Sequence, residues 1–419
     1  MRRIEIKPRR NHNKIVENQG LVYNKTIMPD KSVKYYWNEA AAYVFDYDEI
    51  EKLENATEEL HDMIVNNVVP FMIEEQGNPD SIFHFPLPDY AKEYIKNSYD
   101  RGDKDVYGRF DLAYRGDEIK MLEYNADTPT GLVEAAIIQW NWLEDVYPSE
   151  DQWNSIHESL IERWAQIKAE TKATSPLYLG HTQEDDSGED ALTTAYMADC
   201  AEQAGWDTIG INMKDIGYDS HTDKLIGIIY NEKDDTYDEL KHLFKLYPWE
   251  DMMEEGYGEI ISRLQPQWFE PAWKMPISNK MLSAAAWHLY PDHPLLLKTY
   301  IGDPGDMQDF VKKPIYGREG DRIDVFMNKS NVLKSDVYTS RWGEEGYVYQ
   351  DLFPLPDFPG SNGHNHVVLG SWTVNGKSVG VGIRESDGLI TDAYCRFVPN
   401  VIDKTGTLPV SYTHLTLPT

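Results

Sequence analysis

The chain has 419 residues, of which 41% are hydrophobic and 12% aromatic, so it can bury a sizeable core and is far from the composition of a disordered chain. Its 71 acidic against 40 basic residues give a net charge of -31, which disfavours nucleic acid and anionic lipid and suits a cationic small molecule, although plain solubility is the better default for the charge. Only Cys200 and Cys395 are present, without CxxC spacing, and no apolar run reaches the length of a membrane span. A disulfide framework and a zinc knot are thereby excluded, and a reducing, cytoplasmic location is expected.

Between Asp48 and Val69, apolar residues Ile50, Leu53, Leu60, Met63 and Ile64 recur at helical spacing, predicting an amphipathic helix stopped by Pro70. Two alternating runs follow, Val106 to Tyr114 and Ile119 to Asn125, flanking the turn-rich Arg115-Gly116-Asp117-Glu118. They predict a hairpin. Helices are predicted from Gly131 to Asp145 and from Trp153 to Glu170. Trp140, Trp142, Trp249 and Trp273 are expected in the core.

From Leu177 a short strand, a helix over Ala191 to Ala204 and a strand over Thr208 to Asn212 predict a βαβ unit. It has no GxGxxG turn, so it offers no support for a dinucleotide site. Beyond Tyr300 short strands are predicted near Val311, at Ile323 to Met327, Tyr347 to Gln350, Val367 to Trp372 and Val379 to Arg384, in antiparallel order. The fold class is mixed α/β, with one domain over residues 1–402 and the βαβ part over 175–250. Residues 405–419 carry no periodicity and resemble translated adapter sequence, so they are set aside as a non-native tail.

Period-two alternation puts Arg109 and Asp111 on one face of the hairpin, and Glu123 and Asn125 on one face of its second strand. An odd loop, Gly116 to Glu118, would set Asp111 opposite Glu123 and gather Phe110, Leu112, Leu122 and Tyr124 on the dry side. An even loop would scramble both faces. Two carboxylates and an amide oxygen together suit a hard cation such as Mg²⁺, and Arg109 beside them suits an anion. On spacing alone, a surface ion pair of Arg109 with Asp111 and solvated strand residues at Glu123 and Asn125 account better for the four side chains.

The hairpin continues through Ala126-Asp127-Thr128-Pro129-Thr130-Gly131-Leu132-Val133-Glu134 to Gln139-Trp140-Asn141-Trp142. Further on stand Phe244 to Glu250, Glu270-Pro271-Ala272-Trp273-Lys274, Ile277 to Lys280, Lys313 to Gly320, Gly370-Ser371-Trp372 and Gly382 to Glu385. In this order the motifs closely resemble the synthetase domain of the glutathionylspermidine synthase family, over roughly residues 10–402. The resemblance implies an ATP-grasp-like fold with permuted element order and a nucleotide-binding part over 275–400; the amidase that bifunctional relatives carry is not expected here, since neither Cys200 nor Cys395 stands in a nucleophile's context. It implies ATP-dependent joining of a carboxylate to an amine through an acyl phosphate, with a glutathione-like acid and a polyamine as the family's pair. By the same resemblance Asp111, Glu123 and Asn125 would hold Mg²⁺, Lys280, Lys313 and Gln350 would meet ATP, Arg109 and Arg384 would stabilise the transferring phosphoryl group, and Thr128 and Thr130 would position substrate. The chain departs from the family at Gly317-Arg318-Glu319-Gly320-Asp321-Arg322, where relatives carry a glycine and an amide in place of the charged pair, and at Gly131, where many have serine. A two-carboxylate hydrolase using Asp111 and Glu123, or a non-catalytic acidic binder of polyamine or metal, are the other readings.

Overall fold

The computed structural model describes residues 1–408 except 29, 85–86, 183–186, 232–235, 335–341, 362 and 393. The first long helix, α1 (Tyr47–Met63), begins at a capping box. Asp46 Oδ1 accepts from the Glu49 amide at 2.8 Å, and Glu49 Oε2 accepts from the Asp46 amide at 3.2 Å, satisfying two donors a helix start leaves open. Pro70 does not stop this run. One π turn, Ile64–Val68, follows α1 and leads into a further helix, Val69–Gln76, where Pro70 occupies an opening position that tolerates a missing N–H.

The hairpin forms as strands β1 (Tyr107–Arg115) and β2 (Glu118–Asn125). Its register pairs Asp111 with Glu123, but by a different route from the predicted odd loop. The loop is the two-residue Gly116-Asp117, with Gly116 at φ +64, as such turns require. A bulge then leaves Leu122 unopposed, because Leu112 pairs with Met121 while Asp111 pairs with Glu123. The extra residue restores the parity that the even loop would have lost. The dry face carries Phe110, Leu112, Tyr114, Ile119, Met121 and Tyr124, all buried in the main core with Ile50, Leu53 and Leu60 of α1. Phe110 and Tyr124 stack with centroids 4.0 Å apart, a contact worth about 1 kcal/mol beyond its area.

Helix α2 (Ile156–Thr171) starts later than expected, with Trp153 buried ahead of it. Strand β3 (Leu177–His181), helix α3 (Glu189–Gln203) and strand β4 (Thr208–Asn212) form the predicted βαβ unit, with β3 and β4 parallel. Two further parallel strands, β5 (His242–Leu246) and β6 (Gln267–Phe269), complete a four-stranded sheet in the order β6-β5-β3-β4.

The later half is antiparallel, as predicted. Strands β7 (Thr299–Ile301), β8 (Phe310–Pro314), β9 (Asp324–Met327), β10 (Ser330–Lys334) and β11 (Tyr347–Asp351) make a five-stranded sheet ordered β7-β11-β8-β9-β10. Strands β12 (His366–Val374), β13 (Lys377–Ser386) and β14 (Arg396–Val398) extend the hairpin into a second five-stranded sheet, β14-β13-β12-β1-β2. The two sheets meet where β2 faces β8 and β11. Trp142, Trp249 and Trp273 are buried as expected, whereas Trp140 is 38% exposed. Of the segment set aside as a tail, Thr405 to Leu408 dock on the body with Leu408 buried, and residues 409–419 lie outside the described residues. Among the described residues no helix is long and apolar enough to cross a membrane.

Candidate active site

The wet face of the hairpin opens into a cleft of about 890 Å³, solvent included, between the two antiparallel sheets. Asp111, Glu123, Lys280, Lys313, Gln350 and Arg384 all line it. Asp111 is the hub of the charges. Arg109 Nε donates to its Oδ1 at 3.0 Å and Arg384 Nη2 donates to its Oδ2. Arg384 sits on β13 with its neighbour Glu385 turned to the opposite face, where Glu385 accepts from Arg3, Tyr43 and Arg396. Gly370, between Asp111 and Gly382 in register, makes room for Arg109, since a Cβ there would lie 3.0 Å from Arg109 Cδ.

Glu123 pairs with Lys280 Nζ at 3.0 Å. Burial works to raise its carboxyl pKa, but Lys280, Lys313 and Arg384 outweigh burial and hold it well below the usual carboxylate range. Lys313 behaves in the opposite sense. Burial brings its ammonium down to about 8, with Glu123 pulling back up and Lys280 pushing further down. Lys313 Nζ donates to Gln350 Oε1 at 2.7 Å and to the Leu122 carbonyl at 3.4 Å, and Gln350 Nε2 donates to that same carbonyl at 3.3 Å. The bulge therefore also frees the Leu122 carbonyl to organise Lys313 and Gln350. A doublet of apolar residues, Met121-Leu122, interrupts the alternation of β2 and is the sequence signal for it.

Asn125 faces Arg109 in register, and its buried Nδ2 has no hydrogen-bond partner. Asp111, Glu123 and Asn125 offer hard oxygen donors on one face, while the unanswered Asn125 N–H points to an acceptor such as a phosphate oxygen. These residues fit a Mg²⁺ ion. Thr128 and Thr130 lie in a loop anchored by the buried Asp127, which accepts from Lys245 Nζ at 2.6 Å and from the Trp249 amide at 3.0 Å. The contact made by Thr130 is through its carbonyl, which accepts from Arg109 Nη1. Gly131 follows at φ +79, a conformation that a serine would strain, which accounts for glycine here. The segment Gly317 to Arg322, where the chain departs from the family, is tied down from two directions: Lys280 Nζ donates to the Gly317 carbonyl at 2.6 Å and Arg318 pairs with Glu250 at 2.6 Å.

Apolar residues Leu297, Val311, Ile323, Val325, Leu352 and Leu355 line the rest of the cleft, a dry slot beside the cations that strand alternation alone did not single out. Also missed was a buried carboxyl one helical turn beyond Gly131. Glu134 is 1% exposed and accepts from the Tyr23 hydroxyl at 2.8 Å, while its Oε2 is buried without a partner. Burial, and then the Glu189 carboxylate, push Glu134 up to about 7.

The profile of the family described as glutathionylspermidine synthase preATP-grasp matches residues 3–403. The chain belongs to this family. Among the family's relatives, a Haemophilus influenzae protein named "Putative acid–amine ligase" is 36% identical over 382 residues, covering 89% of this chain and 92% of that protein. Trypanothione synthetase of Crithidia fasciculata is 25% identical, covering 79% of this chain and 52% of that enzyme. The bifunctional glutathionylspermidine synthetase/amidase of Escherichia coli is 24% identical, covering 84% of this chain and 58% of that enzyme. The chain thus spans little more than half the length of these two larger relatives. Among solved structures, a glutathione synthetase-like effector from Globodera pallida matches with a TM-score of 0.57 at 11% identity, covering 94% of this chain and 95% of that one. That likeness shows the fold alone, a mixed α/β fold like that of the glutathione synthetase-like effector.

Proposed function

We propose that the protein is an ATP- and Mg²⁺-dependent ligase that joins the carboxylate of a short peptide or glutathione-like acid to an amine, with a polyamine as the first class to try. One observation carries the reading: Arg109, Arg384, Lys280 and Lys313 converge on the two carboxylates Asp111 and Glu123, although the chain as a whole has a net charge of -31. Such a local excess of cations is suited to a polyphosphate. Lys280 and Lys313 would bind the phosphates of ATP, with Gln350 and the Leu122 carbonyl holding Lys313 in place. The apolar slot beside them suits a flat base. A Mg²⁺ ion held by Asp111, Glu123 and Asn125 would supply charge neutralisation at the phosphates.

Arg109 and Arg384, fixed by Asp111 before any ligand arrives, would face the phosphoryl group passing to the acid, and preplaced charge of this kind lowers the barrier without reorganisation. Glu134, with a carboxyl near neutrality and an unpartnered oxygen, would attract a cationic amine and accept the proton it must lose before attack. The names of the relatives, which refer to acid–amine ligation, glutathionylspermidine and trypanothione, support the same reading. Glu123, held ionised by two lysines, is unsuited to the protonated role a two-carboxylate hydrolase requires.

The test is a phosphate-release screen across polyamines, short peptides and glutathione, with mass spectrometry of the product. An acid–amine pair that releases ADP and phosphate and yields an amide, with both lost in Glu123→Gln, is the expected result. Absence of ATP turnover with every pair would overturn the reading.

A further inference from the structure

Outside the cleft, the connection between β11 and β12 brings Asp357, His364 and His366 together, with one donor atom of each within 4.8 Å of the others. From this cluster we infer that the loop is a binding site for a late first-row divalent ion of the Zn²⁺ class, separate from the magnesium-type donors of the cleft. Two imidazole nitrogens and one carboxylate oxygen are a borderline donor set that selects Zn²⁺, Co²⁺ or Ni²⁺ over Mg²⁺.

The geometry around the cluster is built, not incidental. Asp357 and His366 are bridged across the base of the loop, and His366 is the first residue of β12, so two of the three donors are tied to the sheet. The remaining donor already leans inward: His364 Nδ1 lies 2.6 Å from Asp357 Oδ2. Asp357 Oδ1 accepts from the Asn365 amide at 2.9 Å, which orients the carboxylate as partners beyond the ligand shell commonly do. Asn365 between the two histidines is fully buried, donating to the Phe358 carbonyl at 2.8 Å and accepting from Arg396 at 3.0 Å. His366 Nδ1 is buried and makes no hydrogen bond, which leaves a lone pair or a proton without an answer inside the protein.

Metal–ligand bonds of about 2.0–2.1 Å place tetrahedral donors about 3.3 Å apart, so small side-chain rotations close the set. Three protein donors leave a position for water. The consequence is local: Leu352 and Leu355 of the same connection, and Val368 two residues along β12, line the cleft, so a bound ion would pin one of its walls.

The experiment uses the untagged full chain with the cleft's own donors occupied by millimolar Mg²⁺. Co²⁺ is titrated in and the visible d–d absorption followed, with Zn²⁺ then added as competitor. One equivalent of Co²⁺ with a nitrogen-ligand spectrum, displaced by Zn²⁺ and lost in the double variant His364→Ala/His366→Ala, is expected. The same titration of Glu123→Gln, which alters the cleft, should be unchanged. Thermal unfolding of the double variant without metal checks that it folds, and a melting temperature that rises with Zn²⁺ in the native chain but not in the variant is the second readout. No Co²⁺ spectrum in the native chain, or an equal one in the folded double variant, would overturn the inference.

Discussion

Four lysines stand in the motifs shared with the family, and the fold divides them into two kinds. Lys245 and Lys274 are fully buried, one on Asp127 at 2.6 Å, the other on Glu270 at 2.5 Å. Glu270 also accepts from the backbone amides of Val106 and Tyr107, so the Lys274 pair fixes where β1 begins. Lys280 and Lys313 instead border the cleft, where their partners are side chains and carbonyls, and under the proposed function phosphates would take those partners' place. The first pair is masonry and the second is equipment. A lysine with nowhere to go stabilises, whereas a lysine whose partner can be exchanged binds.

The comparison breaks if the two kinds respond alike to substitution. The largest effect is expected for Lys274→Met, which removes the cation that two buried carboxyls, Glu270 and Asp105, share in the core. A loss of about 3–5 kcal/mol in urea unfolding follows from stranding one member of a buried pair. Lys280→Met should change stability by less than about 1 kcal/mol, because its pair with Glu123 is partly exposed. Its steady-state ATP turnover should nevertheless fall roughly 100-fold, the usual scale for removing one preplaced charge.

The smallest and sharpest effect is the pH profile of Lys313. Its ammonium titrates near 8, below the ordinary lysine value, so the charge that would meet phosphate is present below that pH and lost above it. The kcat/KM for ATP should therefore decline by about tenfold per pH unit above that point, and Lys313→Arg, which keeps its charge, should flatten the limb. A profile unchanged by that substitution would assign the titration elsewhere.

The sequence made the hairpin, the βαβ unit and the antiparallel later half legible because each rests on periodicity, and the motif order supplied the family. Its prediction of Asp111 against Glu123 was right about the pair and wrong about the cause. A loop length was read where a bulge acts, since parity arguments assume unbroken pairing. Pro70 misled for a related reason: one π turn shifts the helix phase so that proline falls at an opening position. Trp140 shows that aromatic content alone does not report burial. Glu134 went unassigned because its importance lies in Tyr23 and Glu189, which are distant in sequence and supply no local pattern.

Because the two-residue turn and the bulge at Leu122 together bring Glu123 opposite Asp111, the length of the hairpin matters to the cleft but the side chain at its tip does not reach it. Gly116 has no atom within 4 Å of a would-be side chain, and Asp117 beside it is largely exposed. A fluorophore or an affinity handle grafted at Asp117 would ride on the outside of the protein, while an insertion or deletion of one residue between Ile119 and Glu123 would turn the Glu123 carboxylate toward the core. The same short ribbon thus offers the protein engineer both an attachment point at Asp117 and an off switch that begins two residues further on, at Ile119.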